Sequence, residues 1–283
     1  IVDVIPSVPA NTFLSITEGS SPALAQSQNI STRLQVQTGD QVGIGGFIVT
    51  GTAPKNVLIR GLGPSLGAAG LPSFLPDPVL ELHEPDGTIL ANNNWKDSQQ
   101  TEIAATGLAP SNDSEAAILA LLNPGSYTAI LSGVNSTTGI GLIEAYDLDT
   151  EIASQLANVS TRGFVGTGDD VMIGGIIIGP PGAADATVVV RGLGPSLGAA
   201  GVTDSLADPT LELHDGNGVI IASNDDWQDD PAQAALLEGV NFAPSDPHES
   251  AIYTTLATGS YTAIVQGKNG TTGVALVEAY NLN

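Results

Sequence analysis

The chain has 283 residues, which at roughly 150 residues per domain suggests two domains. Thirty acidic residues against seven basic ones give a formal net charge of −23, which excludes a nucleic-acid binder as the default and disfavours docking on an anionic lipid surface. Hydrophobic residues, at 42%, suffice for real cores, and the absence of cysteine excludes disulfides, thiol catalysis and Cys-ligated zinc.

Residues 1–28 come first and read as an extended tail. The chain begins at Ile1 rather than Met, the expectation for a processed protein or a fragment. Val2 and Val4 share one face of a strand, as do Leu14 and Ile16, while Pro6 and Pro9 forbid a central strand between them. Two destinations are open to such a tail. It can pack along its own domain, or it can add a strand to an open sheet edge of another subunit, as in donor-strand complementation. The second destination would use Ile1, Val2, Val4, Ile5, Val8, Phe13, Leu14 and Ile16 as donor residues.

From residue 29 the chain is a repeat. Residues 60–91, RGLGPSLGAAGLPSFLPDPVLELHEPDGTILA, return at 191–222 with 21 of 32 positions identical and no gap. NISTR at Asn29 returns as NVSTR at Asn158, and residues 125–148 return at 259–282. The expected organisation is a tail over 1–28, one repeat over 29–150, a linker over 151–157 and a second repeat over 158–283. Within each repeat, VLIRGL, LELH, TILA, SYTAIL and IGLIEAY are short, apolar or alternating, and separated by Gly, Pro, Asp and Asn. One short helix is predicted per repeat, at 98–106 and at 231–237. The fold class expected is therefore all-β: two tandem jelly-roll-like sandwiches, each with one short helix, behind an extended N-terminal strand. No apolar run approaches the ~18 residues of a membrane span.

The LELHDGNGVIIASNDDW…ESAIYTTLATGSYTAIVQG pattern resembles the bacterial pre-peptidase C-terminal domain, a sandwich appended to secreted proteins. RGLGPSLGAAG departs from that family and is similar to tandem repeats of large secreted or surface bacterial proteins. The resemblance spans residues 29–283 and implies an extracellular or cell-surface location.

Several residues are candidates for chemistry. Arg60 and Arg191 end apolar strands, and Glu144 and Glu278 lie in apolar strands of matching repeats, so Arg60–Glu144 and Arg191–Glu278 are expected as structural ion pairs. Asn224, Asp225, Asp226, Asp229 and Asp230 offer the hard oxygens that calcium takes, and the Asn92–Asp97 run is the weaker counterpart. Trp95 and Trp227 are either core residues or sugar platforms. His83, His214 and His248 form no metal set. GLGPSLG lacks both the GxSxG and the GK[ST] patterns and reads as a tight turn with no helix behind it. Sequons stand at Asn29, Asn112, Asn135, Asn158 and Asn269. No nucleophile or acid–base constellation can be assembled, so an enzyme is not expected. The expectation is a structural extracellular filament subunit whose partners are copies of itself. The alternatives are a calcium-assisted carbohydrate-binding or adhesin module and a non-catalytic domain pair of a larger secreted protein.

Overall fold

The structure is a computed structural model that describes residues 26–149 and 154–282. The tail residues Ile1, Val2, Val4, Ile5, Val8, Phe13, Leu14 and Ile16 lie outside the described residues. The first repeat runs β1 (Gln26–Val36), β2 (Gly43–Gly51), β3 (Lys55–Leu62), α1 (Pro64–Ala68), β4 (Pro78–His83), β5 (Ile89–Asn92), α2 (Gln100–Ala105), β6 (Ala116–Leu122), β7 (Gly125–Gly133) and β8 (Gly139–Asp147). The second runs β9 (Ser154–Val165), β10 (Met172–Gly179), β11 (Ala186–Leu193), α3 (Pro195–Ala199), β12 (Pro209–His214), β13 (Ile220–Asn224), α4 (Pro231–Gly239), β14 (Ser250–Leu256), β15 (Gly259–Gly267) and β16 (Gly273–Asn281).

The protein is an all-β sandwich, and its two sheets cross from one repeat into the other. One sheet has the order β6-β3-β8-β1-β10-β15-β12-β13, antiparallel throughout. The other has the order β5-β4-β7-β2-β9-β16-β11-β14, also antiparallel. The first strand of each repeat thus bonds its own last strand on one edge and the second strand of the other repeat on its opposite edge. Among the described strands the two sheets are joined edge to edge where β1 and β9 run parallel, at Ser27–Leu156 and Gln35–Phe164. There the repeats are related by a pseudo-twofold axis, marked by a buried 2.8 Å hydrogen bond between the equivalent hydroxyls of Thr161 and Thr32.

This exchange follows from alternation. In β2 the inward positions are Gly43, Gly45, Phe47 and Val49, and the burial pattern alternates strictly up to Val49. Small residues at Gly46 and Gly175 let the backbones of β2 and β10 lie against Ser160 and Ser31 of the opposite repeat's first strand. One hydrophobic core results, running without a break from Leu34 and Phe47 through Val159 and Met172 to Val265 and Val277. At about 25 cal/mol per Å² of apolar surface removed from water, a shared core ties the stability of each repeat to its neighbour.

The pairing also moves two boundaries. β1 begins at Gln26, inside the stretch expected as tail, because Gly179 of β10 gives it a partner there. β9 begins at Ser154, inside the expected linker, opposite Gly51 of β2. The junction between repeats is held by the β2–β3 turn. Lys55, fully buried, places Nζ 2.8 Å from each oxygen of Asp147 and donates to the Asp149 carbonyl at 2.8 Å. Asn56 donates its backbone N–H to the Asp149 carboxylate at 2.7 Å, and the Ser154 hydroxyl bonds Ala53 on both its N–H and its carbonyl.

Each repeat carries two short α-helices, where one was expected. The helix at α2 and α4 was anticipated, and each packs over a tryptophan on the outer face of its sheet. The helix at α1 and α3 was not: GLGPSLG was read as a turn alone. Proline at its first position suits a helix start, and the glycine before it reaches a backbone conformation crowded against the next loop. A Cβ on Gly63 would lie 2.0 Å from the Leu75 carbonyl oxygen, and one on Gly194 would lie 2.1 Å from that of Leu206.

Candidate functional site

The shared RGLGPSLG segment is an internal binding site for a carboxylate. Glu115, fully buried, accepts the backbone N–H of Gly63 at 3.1 Å and of Ser65 at 2.9 Å, together with the Ser65 hydroxyl. Glu249 does the same for Gly194 and Ser196 at 3.1 and 2.9 Å. The free N–H groups that open these short helices, which in a phosphate loop would face a ligand, are thus filled by the protein's own side chain. Sequence reading missed both glutamates, although each stands just before a strand in the matched E-[AS]-A-I pattern.

The arginine of the segment faces outward. Arg60 donates Nε to Glu144 at 2.9 Å, Nη1 to the Leu108 carbonyl at 2.6 Å and Nη2 to Glu144 and the Tyr146 hydroxyl. Arg191 pairs in the same way with Glu278 and also reaches the Phe242 carbonyl at 3.2 Å. In β3–β8 and β11–β16 these partners are directly opposite in register, which brings them together. The Tyr280 hydroxyl donates to Glu278 at 2.9 Å, and burial, reinforced by the Glu278 charge, pushes the phenol up to about 12. Burial raises Tyr146 as well, with Glu144 adding to it.

The acidic cluster of the second repeat is not the expected five-residue set. Asn224 turns inward, accepting the Ala251 N–H at 2.8 Å, and Asp230 caps α4 by accepting the Ala232 N–H at 2.9 Å. What converges is Asp208, Asp225 and Asp226, whose carboxylate oxygens lie within 4.8 Å of one another. Lys268 sits among them, with Nζ 2.7 Å from Asp225, 3.4 Å from Asp208 and 4.0 Å from Asp226. Its hydrogen bond to Asp225 holds its ammonium well above the usual lysine range, with the charge of Asp208 adding to this. The residues that could hold a metal are therefore these three aspartates; the Lys268 ammonium offsets one of their three charges, and one buried oxygen of each carboxylate has no hydrogen-bond partner. Calcium takes six to eight oxygens, so carbonyls or waters would have to complete a shell begun by these three carboxylates.

The tryptophans are core residues and offer no sugar platform. Trp95 and Trp227 are 7% and 6% exposed, and their indole N–H groups donate to the carbonyls of Asn112 and Asp246. The sequons divide. Asn29 and Asn158 are each 7% exposed inside β1 and β9, so the folded chain does not present them to a modifying enzyme. Asn112, Asn135 and Asn269 are exposed on turns. The histidines stay apart, each beside one carboxylate: His83 with Glu81, His214 with Glu212 and His248 with Asp226. No helix among the described residues is long and apolar enough to cross a membrane.

The outer edges of the sandwich differ in chemistry. On β6 the outward N–H groups of Ala117 and Leu119 are taken by the side-chain amides of Asn92 and Gln99, at 2.9 and 3.1 Å. On β14 those of Ala251 and Tyr253 are taken by Asn224 and Gln233, at 2.8 and 3.1 Å. β5 and β13 carry no such caps: each bonds one neighbour, β4 and β12 respectively, and no described side chain bonds the backbone of Ile220 to Ser223.

No family model matches the chain, and no curated protein matches it. Among solved structures, the chain is similar to the crystal structure of a DUF4785 family protein from Legionella pneumophila subsp. pneumophila str. Philadelphia 1, with 11% identity and a TM-score of 0.27 over 97% of this chain and 70% of that one. At that score the similarity carries no argument.

Proposed function

We propose that this chain is a structural extracellular protein, the subunit of a filament built head to tail, with the N-terminal segment of one copy adding a strand to the second repeat of the next. The observation that carries this reading is where the exposed apolar side chains lie. Ile89 on β5 and Leu121 on β6 stand at the outer end of the first repeat, and Val219, Ile220, Ile221 and Leu236 stand at the outer end of the second, on or beside β13 and on α4. Contact between these unlike ends is heterologous and propagates unless a ring closes. A charge of −23 keeps finished fibres from bundling. The resemblance to secreted pre-peptidase and surface repeats supports the location. A non-enzymatic role accords with the site chemistry: the buried glutamates are consumed by backbone N–H groups and the histidines are scattered.

Negative-stain electron microscopy of the full chain beside a version lacking residues 1–18 tests this reading. Filaments from the first and single particles from the second are expected. Single particles from both would sink it.

A further inference from the structure

We infer that the free edge of β13 is the acceptor strand, and that its occupant is the N-terminal segment of a second copy; this rests on the head-to-tail reading above. The sandwich offers four outer edges. Two of them, β6 and β14, are closed to a further strand, because Asn92, Gln99, Asn224 and Gln233 occupy the very N–H groups an added strand would bond. Gln99 even donates back to the Leu119 carbonyl at 2.8 Å, so it imitates both halves of a ladder rung. An edge protected in this way is an edge against which pairing has been blocked.

Of the two open edges, β13 is the more adhesive. β5 spans Ile89–Asn92, and in it Leu90 turns toward the core. β13 has one residue more. Leu82 pairs with Leu90 in the first repeat and Leu213 pairs with Ala222 in the second, while His83–Ile89 and His214–Ile220 also correspond. The extra residue is therefore Ile221, which forms a bulge between Leu213 and His214 in the β12–β13 register. The consequence is three consecutive exposed aliphatic residues, Val219, Ile220 and Ile221, on an edge with no partner among the described residues. Natural edge strands generally carry charge or proline at such places, and this one carries neither.

The segment that fits is within the same chain. Residues 1–17 contain a single charged residue, Asp3, in a protein of charge −23, so they approach an acidic surface with little repulsion. Their alternating Val2/Val4 and Leu14/Ile16 pairs supply one apolar face. Length allows the reach. Gln26 is the start of β1, from which β8, β3 and β6 lead to the outer end of the first repeat, about 15 Å away at ~4.8 Å per strand. Twenty-five residues span up to about 80 Å when extended, enough to leave that end and run along the next subunit. Docking on a second copy also covers Ile89 and Leu121, which docking on the segment's own β13 would leave bare.

The test uses full-length protein carrying Ile220→Glu together with Ile221→Glu, beside full-length Thr255→Glu on β14. All three side chains are exposed, so unchanged thermal unfolding is the check that folding is intact. The critical concentration for pelletable polymer is read by ultracentrifugation. The β13 variant should raise it at least roughly tenfold, the equivalent of losing one or two buried aliphatic contacts, and Thr255→Glu should leave it unchanged. Polymer formed by the β13 variant as readily as by the natural chain, while deletion of residues 1–18 abolishes it, overturns β13 as acceptor and leaves the filament reading standing. A natural chain that never polymerises overturns both.

Discussion

The two repeats are nearly the same scaffold, yet they neutralise their acidic side chains by opposite means. In the first, the lysine lies at the inner junction: Lys55 is buried against Asp147, where the second repeat has Ala186 and Asn281. In the second, the lysine lies at the outer end: Lys268 sits among Asp208, Asp225 and Asp226, where the first has Asp77, Asn93, Asn94 and Val134. In both places the lysine and its nearest carboxylate are exchanged together, although Asp77, the counterpart of Asp208, keeps its charge in the first repeat. Asp147 comes with Lys55 and Asn281 with Ala186; Asp225 comes with Lys268 and Asn93 with Val134. The shared parts, Arg60/Arg191 with Glu144/Glu278 and Glu115/Glu249 with the GLGPS turn, belong to the fold. The exchanged parts mark where each repeat faces something different, the other repeat at one end and the surroundings at the other.

The first way to break this comparison gives the largest effect. Lys55→Ala leaves the nearly buried Asp147 carboxylate without its counter-charge, and a loss of about 3–5 kcal/mol in denaturant unfolding is expected. Adding Asp147→Asn reproduces the pair of the second repeat and should recover more than half of that loss; a double variant no more stable than the single one would refute the compensation. Next is Lys268→Val, which copies the first repeat at one position and leaves three carboxylates facing one another. Because these groups are between a quarter and somewhat more than a third exposed, the expected loss is small, shrinking in high salt and disappearing when Asp225→Asn and Asp226→Asn are added. A loss indifferent to salt would mean that Lys268 acts through packing. The smallest effect concerns pH. Tyr280 has a folded value above its ordinary one, so the stability it contributes is complete below pH 10 and disappears as the pH rises toward about 12. Unfolding temperature should therefore fall across that window, and less steeply in Tyr280→Phe; an identical slope would show that the phenol is not responsible.

Much of the all-β architecture was legible because alternation and turn residues are local signals. Arg60 and Arg191 stand at matching places at the ends of apolar strands, and Glu144 and Glu278 lie in apolar strands of the same repeats, which made the ion pairs legible. Other features were not legible for a physical reason. A repeat in sequence reports which segments resemble each other, and it is silent on whose edge they bond: β1 satisfies its ladder equally well with β2 or with β10. The buried Glu115 and Glu249 were not legible because most of their partners are backbone N–H groups, and the one side chain that joins them, Ser65 or Ser196, carries no charge to mark the pairing. Lys55 carried a usable signal, the paired Lys/Asp to Ala/Asn difference between the repeats. The run 224–230 shows the limit of reading spacing alone: its polar residues do not all point the same way, since Asn224 and Asp230 bond β14 and α4 while Asp225 and Asp226 converge with Asp208.

The crossing of β1 between two ladders has a mechanical consequence. A pull on Gln26 along the strand does not peel β1 away rung by rung. It loads the β8 ladder from Asn29 to Val36 and the β10 ladder from Gln26 to Arg33 at the same moment, in shear, one in each repeat. Tension entering at the N-terminal end is therefore shared between both halves of the subunit before either can yield.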